Sequence, residues 1–129
     1  IAGQRHLYAI NPDGTEKWHR FSSQDLYPVW ITVAPDGTVY TAASEDLYAL
    51  NPDASLRWKT HVGLIYPHAA LDSDGTIYVT ELNSLYAIKA DGSEKWCLRT
   101  LDGPCSSPVL PSDGTIYVDT WDGLCAIGD

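Results

Sequence analysis

Three aromatic residues, Tyr27, Tyr66 and Trp121, and one histidine, His68, are the side chains of this sequence best suited to hold a ligand. An aromatic face stacks on a sugar or attracts a cation, and the carboxylates Asp119 and Asp122 beside Trp121 add charge for a cation or a peptide. Catalysis has less to draw on. His6, His19, His61 and His68 lack metal-ligand spacing, and Cys97, Cys105 and Cys125 contain no Cys-x-x-Cys pair. Ser22, Ser23, Ser106 and Ser107 have no Gly-x-Ser-x-Gly context, and no glycine-rich phosphate loop occurs. No catalytic residue, metal or cofactor is expected.

These residues are set in a repeat. The phrases Leu7-Tyr8-Ala9-Ile10, Leu47-Tyr48-Ala49-Leu50, Leu85-Tyr86-Ala87-Ile88 and Leu124-Cys125-Ala126-Ile127 follow one another at steps of 40, 38 and 39 residues. Trp18, Trp58 and Trp96 each fall eleven residues after the leading Leu, and Gly14, Ala54 and Gly92 seven after it. A second turn, Asp36-Gly37-Thr38, returns at Asp74-Gly75-Thr76 and Asp113-Gly114-Thr115. A fixed period of this size marks a copied supersecondary unit that buries its faces only against its neighbours. The phased residues therefore read as structural: Trp18, Trp58 and Trp96 as packing between units, and Gly14, Gly37, Gly75, Gly92 and Gly114 as turn formers. The expected repeat limits are 7–46, 47–84 and 85–123, with a fourth unit starting at 124.

Each unit reads as strands. Thr76-Ile77-Tyr78-Val79-Thr80 and Ser84-Leu85-Tyr86-Ala87-Ile88 are short and rich in β-branched and aromatic residues, and Asp-Gly hairpin signals separate such runs. No window carries the 3.6-residue spacing of an amphipathic helix. Four strands fit a period: A at Pro28–Ile31, Pro67–Ala70 and Pro108–Leu110, then B (Thr-Val/Ile-Tyr), C (the Leu-Tyr-Ala phrase) and D, which carries the Trp. B and C are apolar on both faces, whereas D places Lys17, Arg57 and Lys95 beside its Trp, as at a guarded outer edge. A small four-stranded antiparallel sheet, covered on both faces and repeated, is a β-propeller blade. The expected fold is all-β, a propeller fragment of about three blades completed by another chain or by further sequence.

The stretch Ala9 to Trp18, Ala-x-Asn-Pro-Asp-Gly-Thr-x-x-Trp, with its kin at Ala49–Trp58 and Ala87–Trp96, resembles the tryptophan-docking repeat of quinoprotein-type, pyrroloquinoline-quinone-like propellers. The Ala-to-Trp interval is one residue shorter than in the quinone-dehydrogenase form, and Asp-Gly-Thr/Ser replaces Thr-Gly. The resemblance thus implies a non-catalytic branch. It also implies an extracytoplasmic or secreted location.

A–B and C–D hairpins lie on one face of such a frame, and D–A and B–C loops on the other, where the copies differ and binding surfaces belong. Tyr27 and Tyr66 share the position before the strand A proline, where the third copy has Ser107; each is a ligand platform or a wedge between blades. Trp121 departs from Ser44 and Asn83 and is a platform or a contact with absent blades; His68 either faces the channel or is structural. Cys97 and Cys125 read as small buried fillers, and Cys97 and Cys105 are the alternative disulfide pair.

Ile1 aligns with Thr41 inside strand B, which favours a fragment or a processed product. The open arc favours association, with a homodimer ahead of higher forms, or completion by the rest of a larger propeller. A net charge of −9 argues against nucleic acid or an anionic membrane as partner, and no stretch is long enough to cross a bilayer. The function expected is a non-enzymatic binding or scaffold module presenting its variable loops to a protein or carbohydrate. The alternatives are a purely structural self-assembling segment and a piece of a quinone-dependent dehydrogenase.

Overall fold

The computed structural model describes residues 6–21, 28–43, 45–63, 65–99, 108–120 and 123–128, and the regular elements among them are all β-strands. In order they are β1 (His6–Ile10), β2 (Glu16–Phe21), β3 (Pro28–Val33), β4 (Val39–Ala43), β5 (Asp46–Leu50) and β6 (Leu56–His61). They continue as β7 (Ile65–Leu71), β8 (Ile77–Glu81), β9 (Ser84–Ile88), β10 (Glu94–Arg99), β11 (Ile116–Thr120) and β12 (Gly123–Ile127).

These strands make four antiparallel sheets. β3-β4-β5-β6 and β7-β8-β9-β10 are complete, each in A-B-C-D order, while β1–β2 supplies C and D and β11–β12 supplies B and C. Strand A of the last unit is shorter than expected. It is a single bridge, with Val109 N–H donating to the Tyr117 carbonyl at 2.9 Å and the reverse bond at 3.0 Å. On the turn side Pro111 stands where Ala34 and Asp72 donate their N–H to the Thr38 and Thr76 carbonyls, and without an N–H it cannot extend the ladder there.

The register repeats from sheet to sheet. Tyr40 faces Ala49, Tyr78 faces Ala87 and Tyr117 faces Ala126 across each B–C pair. Across each C–D pair the phrase alanine faces the tryptophan: Ala9 with Trp18, Ala49 with Trp58, Ala87 with Trp96. A bulge on the C–D hairpin side of that pair absorbs the extra turn residue.

Burial follows strand position. β4 is buried along its whole length and β8 nearly so, whereas β6 and β10 are exposed apart from half-buried residues such as Trp58 and Trp96. The core lies between sheets, not within one. Tyr40, Ala42, Leu47 and Ala49 of one sheet close on Ala69, Ile77, Val79 and Ile88 of the next. Tyr78, Leu85 and Ala87 then close on Ile116 and Val118. Fully buried leucines such as Leu47 and Leu85 each contribute about 2 kcal/mol only because a neighbouring sheet covers them.

Candidate interaction surface

The tryptophans are committed to the seams. Trp18 Nε1 donates to the Pro52 carbonyl and Trp58 Nε1 to the Ala90 carbonyl, each at 2.8 Å and each in the C–D turn of the following sheet. Thr60 Oγ1 adds a 2.7 Å bond to the Gly92 carbonyl across the same seam as Trp58. A Cβ placed on Gly92 would meet Trp58 Cδ2 at 2.8 Å, so the indole lies against a backbone that has no room for a side chain. Within their own sheets, Trp58 and Trp96 each lie 5.8 Å, centroid to centroid, from Tyr40 and Tyr78.

The turn acids are committed as well. Asp13, Asp36, Asp53, Asp74, Asp91 and Asp113 each accept, through Oδ1, the N–H two residues on, at 2.8–2.9 Å. Those bonds, from backbone N–H and from the neighbouring Thr or Ser hydroxyl, hold all six carboxyls below their ordinary pKa. Each turn closes with a left-handed residue, Gly14, Gly37, Gly75, Gly92 or Gly114, but at one site that residue is Ala54 with φ 72°. Arg57 Nη1 approaches Asp36 Oδ2 at 3.5 Å and Lys95 Nζ approaches Asp74 Oδ2 at 3.6 Å, tying strand D to the A–B turn of its own sheet.

The opposite end of the sheets carries the variable loops. There the Val62 and Gly63 N–H groups donate to the Glu45 carbonyl, at 2.9 and 3.1 Å, joining a D–A loop to a B–C turn. Asp46, at the start of β5, holds His61 Nδ1 at 3.0 Å and Lys59 Nζ at 3.4 Å, so His61 has an acidic partner, and among the described residues no three metal-ligating side chains cluster. Tyr66 and His68 fall on β7, with side chains outside the described residues, and Tyr27 and Trp121 are outside them altogether.

Two sequence expectations change. Counting from the ladder ends Ala43↔Asp46, Glu81↔Ser84 and Thr120↔Gly123, position 121 corresponds to 44 and 82, not to 83. Trp121 is therefore the counterpart of Ser44 and Leu82, and Leu82 is exposed at its turn. Sequence reasoning passed over Leu82, although a leucine in a two-residue B–C turn serves no turn chemistry. Cys97 is not a buried filler: it is an exposed free thiol on β10 opposite Tyr86, and among the described residues β10 is the edge strand of its sheet. Cys105 and the Cys125 side chain lie outside the described residues.

On the hairpin face an open concavity of about 410 Å³ is lined by Asp74, Thr76, Lys89, Ala90, Asp91 and Lys95. Its departure from the repeat is Lys89. Asn11 and Asn51 at that position donate to Thr15 Oγ1 and Ser55 Oγ, at 3.0 and 2.9 Å, which closes the turn upon itself. Lys89 cannot make the same short closure and stands exposed at the rim.

No protein-family model matches the sequence, and no curated protein matches it. Solved structures do. The WD40 β-propeller domain of Doa1 is 16% identical with a TM-score of 0.71, over 88% of this chain and 40% of that one. BBS1N, solved in complex with ARL6DN, is 14% identical with a TM-score of 0.62, over 99% of this chain and 49% of that one. Virginiamycin B lyase from Staphylococcus aureus is 20% identical with a TM-score of 0.59, over 98% and 45%. The chain thus spans less than half the length of each of these structures. At such identities the likeness is one of fold, and the fold of this chain is a run of β-propeller blades.

Proposed function

We propose that the chain is a non-enzymatic scaffold module whose D–A and B–C loops bind a protein partner. The observation that carries the reading is Leu82, an exposed apolar side chain in a turn that does not need it, at the position where Trp121 stands one unit later. Exposed aromatic and aliphatic residues on a rigid frame are what interaction faces use. The tryptophans and turn acids, the other distinctive residues of the repeat, already serve the scaffold. A propeller neighbour solved with a bound protein, BBS1N with ARL6DN, supports a protein as the partner class. Tyr27, Tyr66 and His68 belong to the same proposed face by repeat position.

A peptide array and a glycan array, each probed with the wild-type chain and with Leu82→Ser and Trp121→Ala, test this reading. Peptide binding that both variants weaken, with unchanged urea midpoints, is expected. Signal confined to glycans would assign carbohydrate as the ligand, and binding that ignores both substitutions would remove this face from the account.

We also propose that the molecule self-associates through the apolar surface that Tyr8 and Ile10 on β1, Ile31 and Val33 on β3, and Val109 and Leu124 in the β11–β12 sheet leave in water.

A further inference from the structure

One C–D turn departs from the repeat at two consecutive positions, and both line the concavity of about 410 Å³ on the hairpin face. The turns after β1 and β5 open with Asn11-Pro12 and Asn51-Pro52, whereas the turn after β9 opens with Lys89-Ala90. The first difference leaves a cation at the rim. Asn51 donates to Ser55 Oγ at 2.9 Å and closes its turn upon itself, while Lys89 puts an exposed ammonium there instead. The second difference makes room. The Pro52 ring lies across the A–B turn of its sheet, with Cγ 3.1 Å from where a Cβ on Gly37 would stand. Ala90 meets the matching point of Gly75 with its Cβ alone, at 3.3 Å, and has no ring to fill the space beyond. Ala90 also carries a backbone N–H, which proline lacks. Together the two differences remove volume and add donors, which suits an anion.

The other lining groups limit the kind of anion. Lys95 Nζ lies 3.6 Å from Asp74 Oδ2 and 3.5 Å from Thr76 Oγ1. These long contacts leave an ammonium of three donors able to serve a further acceptor. Its counterpart Arg57 is docked more tightly, with Nη1 2.7 Å from Thr38 Oγ1. Asp74 and Asp91 each use Oδ1 within their own turns, on the Thr76 N–H at 2.8 Å and the Ser93 N–H at 2.9 Å. Those turn bonds hold both carboxyls below the ordinary range, and for Asp91 the charge of Lys89 adds to them, so both are ionised near neutral pH. Two ammonium groups and two carboxylates therefore line the cavity. Such a site accepts one negative charge placed between its cations and repels a second. A carboxylate satisfies that condition; a phosphate dianion does not.

We propose that this concavity binds a carboxylate group, held by Lys89 and Lys95 in the space that Ala90 leaves open. The site stands at the opposite end of the sheets from the variable loops and does not rest on the function proposed for them. Its volume is that of a small-ligand pocket. A free acid and the carboxyl end of a peptide present the same group to it.

Amide NMR titration of the full chain at constant ionic strength, with sodium acetate, inorganic phosphate at pH 7.5 and N-acetylglycylglycine as probes, tests the site. Acetate should move the Gly75, Ala90 and Asp91 signals to saturation, and phosphate should bind more weakly. Lys89→Asn should weaken acetate binding by up to about fivefold, the loss of one exposed ion pair. Lys89→Asn combined with Ala90→Pro restores the Asn-Pro of the other turns, a turn this chain already folds, and should abolish saturation. Tighter binding of N-acetylglycylglycine than of acetate would assign a peptide end as the source of the carboxylate, and equal or weaker binding a free acid. Phosphate binding as tightly as acetate would overturn the carboxylate assignment. Shifts at these amides that never saturate, or a double variant that binds acetate like the wild type, would overturn the site itself.

Discussion

Ala54 is the residue where local physics conflicts with the repeat. An L side chain at φ 72° costs about 1 kcal/mol relative to glycine, less the entropy that glycine adds to the unfolded chain. Ala54→Gly should raise the urea midpoint; a lower midpoint would mean that the turn changes type in the variant. Gly92→Ala is the opposite case. The added Cβ combines φ 87° with a 2.8 Å approach to Trp58, so the loss should exceed about 1 kcal/mol. Gly114→Ala, at φ 83° with nothing within 4 Å, should show the backbone cost alone, and comparison of the two unfolding midpoints isolates the indole contact. The six turn aspartates set the acid limit of stability. Their folded pKa values lie below the unfolded value of about 3.9, so their contribution is fully present above that pH and is lost as pH falls through the folded values. On this account the urea midpoint stays level from neutral pH to about pH 5 and drops below about pH 4. A midpoint that fell already near pH 6 would point to histidine instead. At this scale the sequence was readable for phased residues, Ala54 included, and misleading at Cys97, whose exposure depends on which strand ends the sheet.

The unit of stability is the seam, because each sheet leaves its apolar faces for the next. Trp58→Phe keeps a ring against Gly92 and removes the Nε1 bond to Ala90, so it should cost about 1 kcal/mol in chemical unfolding. A loss near zero would mean that water replaces the indole bond without penalty. Strand order, the B–C and C–D ladders and the exposure of D were legible from composition, since strands apolar on both faces must be covered on both. Strand A of the last unit was not, because Pro108 reads as the strand marker while Pro111, just beyond it, removes a donor that the other units use to close the hairpin. The Leu82 position carries no turn marker of its own, and only the ladder ends set it level with position 121.

At the scale of the molecule, the fold is a row of radial sheets whose ends are not alike. The inner half of the first seam is open over Ile31 and Val33, and the last sheet presents Leu124 to water. If the proposed self-association uses this surface, Ile31→Ser should leave intramolecular packing intact yet weaken association, a difference that sedimentation and urea unfolding separate. The proposed interaction face was only partly legible, since loops that vary between units carry no periodic signal to align. The claim on which all of this stands is that adjoining units seal one another through indole and turn, and proton NMR of Gly92 addresses it directly. With the Trp58 ring against its Cα, the Gly92 α-protons should be shifted strongly upfield and show nuclear Overhauser contacts to that ring. Unshifted α-protons without such contacts would contradict the account.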